Sequence, residues 1–407
     1  MKYIKKTDPV YIIVPLSVLA VMAVVAAFTG GWPWQENPYN SYALQADSWL
    51  RGRLDLIDGQ DYSWLELAVY GGKYYVSFPP FPSYVMLPFV LVLGVGTPDH
   101  WIAVAVAMVG AVYAIRLYKA ATGTLGQAGF FVLFLYLASG LLFVSINGYV
   151  WFIAQNMCFT LSLMSLFYAV RGRGGQALAL WACAVGCRPM AVLYLPLLFY
   201  IVWKKWREEQ GTGLITLIRS RWYWGIGVTL IALSYMLLNY FRFGSILEFG
   251  HNYLPEFTRT ETGQFHGSYL VDNLKKLLRL PVPDPESHIL KFPTENGMAF
   301  WLAAPLFLTI AAAWLYAVAK KRKQQAVLLV LLPLLALLHV LLLCCHKTLG
   351  GWHFGNRYLL DLLPWLFYGL LLWKPKEDWF ARWNMPLFYL GLSLQVIGTA
   401  ATYNYWI

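Results

Sequence analysis

Apolar stretches, most of them of about bilayer length, recur along the whole chain, at 10–29, 83–96, 100–118, 127–146, 149–170, 176–203, 222–240, 297–319, 326–345, 357–373 and 385–403. A hydrocarbon core of roughly 30 Å requires about 20 such residues in a helix, and a helix satisfies its own backbone polar groups there. The pattern predicts an all-α polytopic membrane protein of roughly 11–12 transmembrane helices, built as one integral membrane domain over residues 1–407. Hydrophobic residues make up 59% of the chain, a balance that no soluble domain carries. Lys2, Lys5 and Lys6 precede the first run, and Gly30-Gly31-Trp32-Pro33-Trp34 follows it without a small-residue cleavage site. The first helix therefore reads as uncleaved, with its amino terminus in the cytoplasm.

The net charge of +11 lies in short clusters at the ends of these runs, such as Lys204-Lys205 and Lys320-Lys321-Arg322-Lys323. Those positions suit topology and contact with anionic lipid headgroups, so membrane lipids are expected partners and nucleic acid is not. The five cysteines sit within or beside apolar runs, with neither a disulfide framework nor metal-ligand spacing. No cofactor is expected; a divalent metal held by His346, His353 and a loop acid stays open as an alternative with no ligand-spacing motif behind it.

Two runs leave the topology open. If 176–203 is a hairpin broken at Arg188-Pro189, then 83–96 re-enters without crossing; if 83–96 crosses, 176–203 crosses once. Both solutions place the first outer loop 30–82, the large outer loop 241–296 and the small outer loop 346–356 on the outer face. The first loop holds six carboxylates, Glu36, Asp47, Asp55, Asp58, Asp61 and Glu66, in a chain only 13% charged. Asn40 is placed to cap a short helix ending before Gly52, and Tyr42, Ala46, Trp49 and Leu50 recur at helical spacing, so this helix is expected to lie along the interface. Leu67–Tyr70 and Lys73–Val76 around Gly71-Gly72 predict a small hairpin. In the large loop, Leu274, Leu277 and Leu278 among Lys275, Lys276 and Arg279 predict a short basic amphipathic helix.

Asp47, held on the interfacial helix, is the leading candidate for a general base, with Glu36 second; pairing with Arg51 four residues on is the competing explanation for Asp47. Asp55, Asp58 and Asp61 around Gly59 read as a solvated turn. His346-Lys347-Thr348-Leu349-Gly350-Gly351-Trp352-His353-Phe354-Gly355-Asn356-Arg357-Tyr358 packs cations and glycines between two apolar runs. Glycine lets backbone approach a ligand, and arginine offers a planar fork to phosphate oxygens. Arg188 interrupts an apolar stretch, a costly placement that is usually functional.

The order Tyr42–Leu56, Gly71–Val76 and Phe78-Pro79-Pro80-Phe81-Pro82 after a first helix, with Gly186-Cys187-Arg188-Pro189 and Gly351–Tyr358 later, resembles bacterial members of the GT-C superfamily. These are polytopic glycosyltransferases that use polyprenyl-phosphate sugars. The likeness covers the layout of the whole chain but only short motifs in sequence. The acid pair that many members carry after the first helix is absent here, where Glu36-Asn37-Pro38-Tyr39-Asn40 stands. The resemblance implies transfer of a sugar from a polyprenyl-phosphate donor to a glycan, lipid or protein acceptor, with inversion, at the outer face of the bacterial inner (plasma) membrane. Asp47 or Glu36 would be the base. Arg357, with Lys347, His353 and Arg259, would bind the donor phosphate. Tyr358, Trp352, Arg188, His251 and His266 are further candidates for lipid or substrate contact. A polyprenyl-diphosphate-glycan ligase or polymerase, relying on Arg259, His251 and His266, is one alternative; a lipid or solute transporter (flippase) is another.

Overall fold

The computed structural model describes residues 8–29, 32, 34–35, 37–286 and 290–407. Glu36 and His288 lie outside the described residues. Helix α1 (Val10–Thr29) runs to the end of the molecule that carries a large cavity, and α2 (Ser41–Leu50) follows there. Strands β1 (Leu67–Tyr70) and β2 (Lys73–Val76) pair antiparallel, Leu67 against Val76 and Tyr70 against Lys73. Gly71 and Gly72 have φ of 58° and 74°, the two left-handed positions that a type I′ hairpin turn demands. Helix α3 (Phe81–Leu93) starts with the Phe81 amide on the Gly186 carbonyl, 3.0 Å away. It ends through Gly94–Gly96 with Asn40 Nδ2 donating to the Val95 carbonyl. Both of its ends lie at the cavity end, so 81–96 packs along α2 and does not cross.

From there the chain shuttles between the two ends. Helix α4 (Asp99–Thr122) leaves the cavity end, α5 (Ala128–Leu137) and α6 (Leu141–Ser145) return to it in two pieces, and α7 (Val150–Val170) leaves again. Helices α8 (Gly174–Val185) and α9 (Leu195–Gln210) form a hairpin whose apex is Arg188 and the 3-10 turn Pro189–Tyr194. Gly172, before α8, lies against Lys205 and Glu209 near the end of α9. The long run 176–203 is therefore two short helices, broken where Pro189 cannot continue one. Arg171 and Arg173 then share an end with the Lys204–Glu209 cluster. Helix α10 (Leu214–Arg221) leads into α11 (Trp224–Phe243), which returns to the cavity. The next loop carries α12 (Pro255–Thr258), α13 (Leu270–Leu277) and the two-residue strands β3 (Val282–Pro283) and β4 (Leu290–Lys291). Helices α14 (Phe300–Ala303), α15 (Leu306–Ala319), α16 (Ala326–Cys344), α17 (Leu363–Trp373) and α18 (Trp379–Tyr403) complete the bundle.

Among the described residues six helices are long and apolar enough to cross a membrane: α1, α4, α7, α11, α16 and α18. The protein is an integral membrane protein. Fewer helices reach full length than the apolar runs suggest, because Ala138–Gly140, Arg188-Pro189 and Ala304-Pro305 divide several runs into shorter pieces.

Lipid tails are as apolar as leucine, so helix association rests on close packing of small residues and on hydrogen bonds between helices. Asn156 Nδ2 donates to the Ala103 carbonyl at 2.7 Å and Thr160 Oγ1 to Val106, joining α7 to α4. Gly398 of α18 receives the buried ring of Phe354; a Cβ there would come within 2.2 Å of it. Gly398→Ala is therefore expected to destabilise by about 1–3 kcal/mol, the usual cost of overpacking. A lowered thermal unfolding midpoint in detergent would register it; an unchanged midpoint would contradict the packing described.

Two predicted surface helices are tied down instead. Tyr42, Ala43, Leu44, Gln45, Ala46 and Ser48 of α2 are buried against α3, where Ser83 Oγ donates to the Tyr42 carbonyl and to Gln45 Oε1. Asn40 precedes α2 without capping it, since its side chain serves Val95. In α13, Asn273 Nδ2 donates to the carbonyls of Cys344 and His346, which pins the helix to the end of α16.

Candidate active site

Segments from all three polar loops meet around a cavity of about 980 Å³. Its charged wall begins with Arg357, which follows the Gly350-Gly351 turn and opens the 3-10 turn Arg357–Leu362 before α17. Arg357 is 5% exposed. Its Nε and Nη2 donate to the Gly350 carbonyl at 3.0 and 2.8 Å, and Nη1 has no partner among the described residues. Gly350 has φ of 103°, and a Cβ there would meet Arg357 Nε at 2.8 Å. Glycine is needed for both backbone and space.

Arg188 projects from the apex of the α8–α9 hairpin, its Nε 3.0 Å from Asp361 Oδ2. Gln155 of α7 donates from Nε2 to Asp361 Oδ1 and to the Arg357 carbonyl. Tyr358 faces both guanidiniums, with Arg188 at 4.7 Å and Arg357 at 4.9 Å from its ring centre. Asp361 therefore balances Arg188, while Arg357 keeps its charge and one donor unspent. Arg188→Met would leave the Asp361 carboxylate buried and unpaired, a cost of about 3–5 kcal/mol. The expected result is a large fall in the unfolding midpoint that the double change with Asp361→Leu restores; no recovery would refute the pairing.

The opposing acid is Glu66, just before β1. Leu65 and Leu67 on either side are buried, and strand alternation turns Glu66 the other way, into the cavity. Trp151 Nε1 donates to its Oε2 at 2.9 Å. The carboxyl is open to cavity water but closely surrounded by protein, and this desolvation raises its pKa above 4.5 against the opposing pull of Trp151 and Arg357. Glu256, also on the wall, is raised by burial and then by Glu66. Glu248 lines the same space but accepts from the Gly250 amide and Asn252.

The sequence candidates divide clearly. Arg357, Tyr358, Trp352, Arg188 and His251 line the cavity. His251 Nδ1 donates to the Ser77 carbonyl at 2.7 Å, and burial lowers its pKa. His346 lines it too, lowered to about 4 chiefly by burial. Asp47 does not line it: it faces Arg51, with Nε 3.1 Å from Oδ2, in the pairing expected from their spacing. Lys347 Nζ donates to the Glu256 carbonyl, outside the lining. His353 is fully buried beside the Gly350 and Gly351 backbone and lowered to about 3, away from the cavity. Arg259 and His266 are exposed outside it. Of the three acids read as a wet turn, Asp58 and Asp61 are exposed, whereas Asp55 is buried between Arg53 and Lys73. Among the described residues no group of three or more His, Cys, Asp or Glu side chains is arranged to hold a metal.

No protein-family model matches this sequence, and no curated protein matches it. The fold is similar to the crystal structure of ArnT from Cupriavidus metallidurans bound to undecaprenyl phosphate, with a TM-score of 0.52 at 14% identity over 88% of this chain and 59% of that one. A second solved structure, the oligosaccharyltransferase AglB from Archaeoglobus fulgidus in complex with an inhibitory peptide and a dolichol-phosphate, aligns with a TM-score of 0.39 at 11% identity over 94% of this chain and 56% of that one. This chain spans less than two thirds of the length of either. It is a polytopic membrane protein whose fold is similar to that of ArnT.

Proposed function

We propose that this protein is a membrane glycosyltransferase that moves a sugar from a polyprenyl-phosphate donor to an acceptor hydroxyl at the outer face of the membrane. The observation that carries the reading is Arg357: a buried guanidinium whose Nη1 has no partner among the described residues, opening on a large cavity that also holds a carboxylate of raised pKa. An unpaired buried donor of that kind calls for an anion. The fold shared with ArnT, solved with undecaprenyl phosphate, makes a lipid phosphate the fitting one.

In this mechanism Glu66, rather than Asp47, takes the acceptor proton as that oxygen attacks the anomeric carbon. The bond from that carbon to the phosphate oxygen breaks on the opposite side, so configuration inverts and the polyprenyl phosphate leaves with the electron pair. Arg357 stabilises the charge growing on the phosphate, with Arg188 beyond Tyr358 adding to the field. The raised pKa of Glu66 suits a base better than an ordinary carboxylate, because base strength rises with pKa. The diphosphate-ligase reading depended on Arg259, His251 and His266, of which only His251 lines the cavity.

The test is purified protein given a radiolabelled polyprenyl-phosphate sugar and candidate acceptors. Transfer of label to an acceptor is expected; movement of labelled lipid across vesicles without transfer would replace this reading with a transporter. The pH dependence adds a check. Glu66 works deprotonated, so kcat/KM should fall as pH drops through a value above 4.5. Trp151→Phe removes a hydrogen bond to the charged form and should move that limb to higher pH. A limb that stays put would remove Glu66 from the role.

A further inference from the structure

The wall of the cavity that carries no charge is aromatic, and it begins at Glu66. Trp151, whose indole donates to Glu66, lies 5.0 Å from the ring of Tyr39, which lies 5.0 Å from Tyr149. The Tyr149 hydroxyl is within electrostatic reach of those of Tyr403 and Tyr405. Both of these rings pack on Trp352, Tyr403 edge-on at 5.3 Å and Tyr405 stacked at 5.9 Å. All six side chains line the cavity. Tyr405 is the left-handed residue, φ 56°, of the turn that ends α18 and closes with the Trp406 amide on the Ala401 carbonyl, a position that favours glycine, and the residue is 82% exposed. An aromatic so exposed adds little to a core.

We infer that this wall is the acceptor subsite and that the acceptor is a neutral glycan, its pyranose rings lying on the faces of Tyr405, Tyr149 and Tyr39 with the reacting hydroxyl delivered to Glu66. This rests on the transferase reading above and names its acceptor class. Sugar rings present apolar C–H faces edged by hydroxyls, which matches rigid aromatic faces that carry phenol and indole donors at their rims. Charge narrows the choice. Glu66, Glu248 and Glu256 all line the cavity, so a phosphorylated or carboxylated acceptor would approach against three acids, while of the two cavity arginines Arg188 is paired with Asp361 and Arg357 is given to the donor.

The experiment measures binding by the full-length protein in detergent to an array of neutral oligosaccharides, with sialylated and phosphorylated glycans and tyrosine-rich peptides alongside. Undecaprenyl phosphate binding is titrated separately. Wild type is expected to bind a subset of the neutral glycans, and Tyr405→Gly and Tyr39→Ala to weaken that binding at least about tenfold, the loss of one strong aromatic contact. Tyr405→Gly relieves the backbone, so its unfolding midpoint should hold or rise while glycan binding falls; misfolding cannot produce that split. Undecaprenyl phosphate should bind the two variants as it binds wild type. Preference for charged glycans or peptides, no glycan binding at all, or equal binding by Tyr405→Gly would overturn the inference and leave the transferase reading standing. Glycan binding with no affinity for undecaprenyl phosphate would instead overturn that reading and leave the subsite.

Discussion

Glu66→Gln is expected to lower kcat for sugar transfer by about 10²–10⁴-fold, the usual loss when a positioned general base is removed, with little change in donor affinity. The amide keeps the shape and still accepts from Trp151, so the cavity wall should persist. Only the capacity to take a proton is lost. Asp47→Asn provides the contrast. Its partner Arg51 is 64% exposed, and an exposed pair of this kind contributes about 0.2–1 kcal/mol. Near-normal transfer by Asp47→Asn beside a crippled Glu66→Gln is the pattern expected, read from single-turnover transfer of radiolabelled sugar. The reverse pattern would return the base to α2 and leave the raised pKa of Glu66 without a catalytic use.

That contrast marks where the sequence was legible. The apolar runs located the membrane helices, though several are divided into shorter pieces, because the bilayer calls for apolar length whatever the helices pack against. Gly71-Gly72 placed the hairpin for a similarly local reason, since two successive left-handed residues leave few alternatives. The break at Arg188-Pro189 was visible as well, but whether it meant a hairpin depended on Gly172 meeting Glu209, a contact across α8 and α9 that no local pattern encodes. The small loop was recognised by its glycines and by Arg357, and the structure keeps Arg357, Tyr358 and Trp352 in the cavity while burying His353 beneath it. Lys347 and Arg259 were named only for their charge, and charge says nothing about direction.

Glu66, the base proposed here, was not singled out in the sequence for a physical reason. Asp47 stood out because it sits on a helix, but the face it shares with Arg51 points away from the cavity. Glu66 sat between Leu65 and Leu67 at the mouth of a strand, where a period of two turns a lone acid away from two buried leucines. That alternation could have drawn attention to it. Its partners could not have been foreseen, because Trp151 and Arg357 lie 85 and 291 residues further on.

Arg357 offers the complementary result. Arg357→Ala is expected to cost about 10²–10³-fold in kcat, as when one preorganised donor to a developing anion is removed, and to weaken undecaprenyl phosphate binding as well. Glu66→Gln should spare that binding, so the two variants separate donor recognition from proton removal. Alanine also frees the Gly350 carbonyl, whose backbone sits at φ 103° where Arg357 holds it. Arg357→Lys is therefore needed beside it, since it restores the charge. An ammonium is compact, however, and cannot use two donors on the Gly350 carbonyl while presenting a third into the cavity as the planar guanidinium does. Lysine should recover part of the donor affinity and less of the rate. Full activity in Arg357→Lys would show that a point charge suffices. Wild-type lipid affinity in Arg357→Ala would show that the unpartnered Nη1 is not where the phosphate binds.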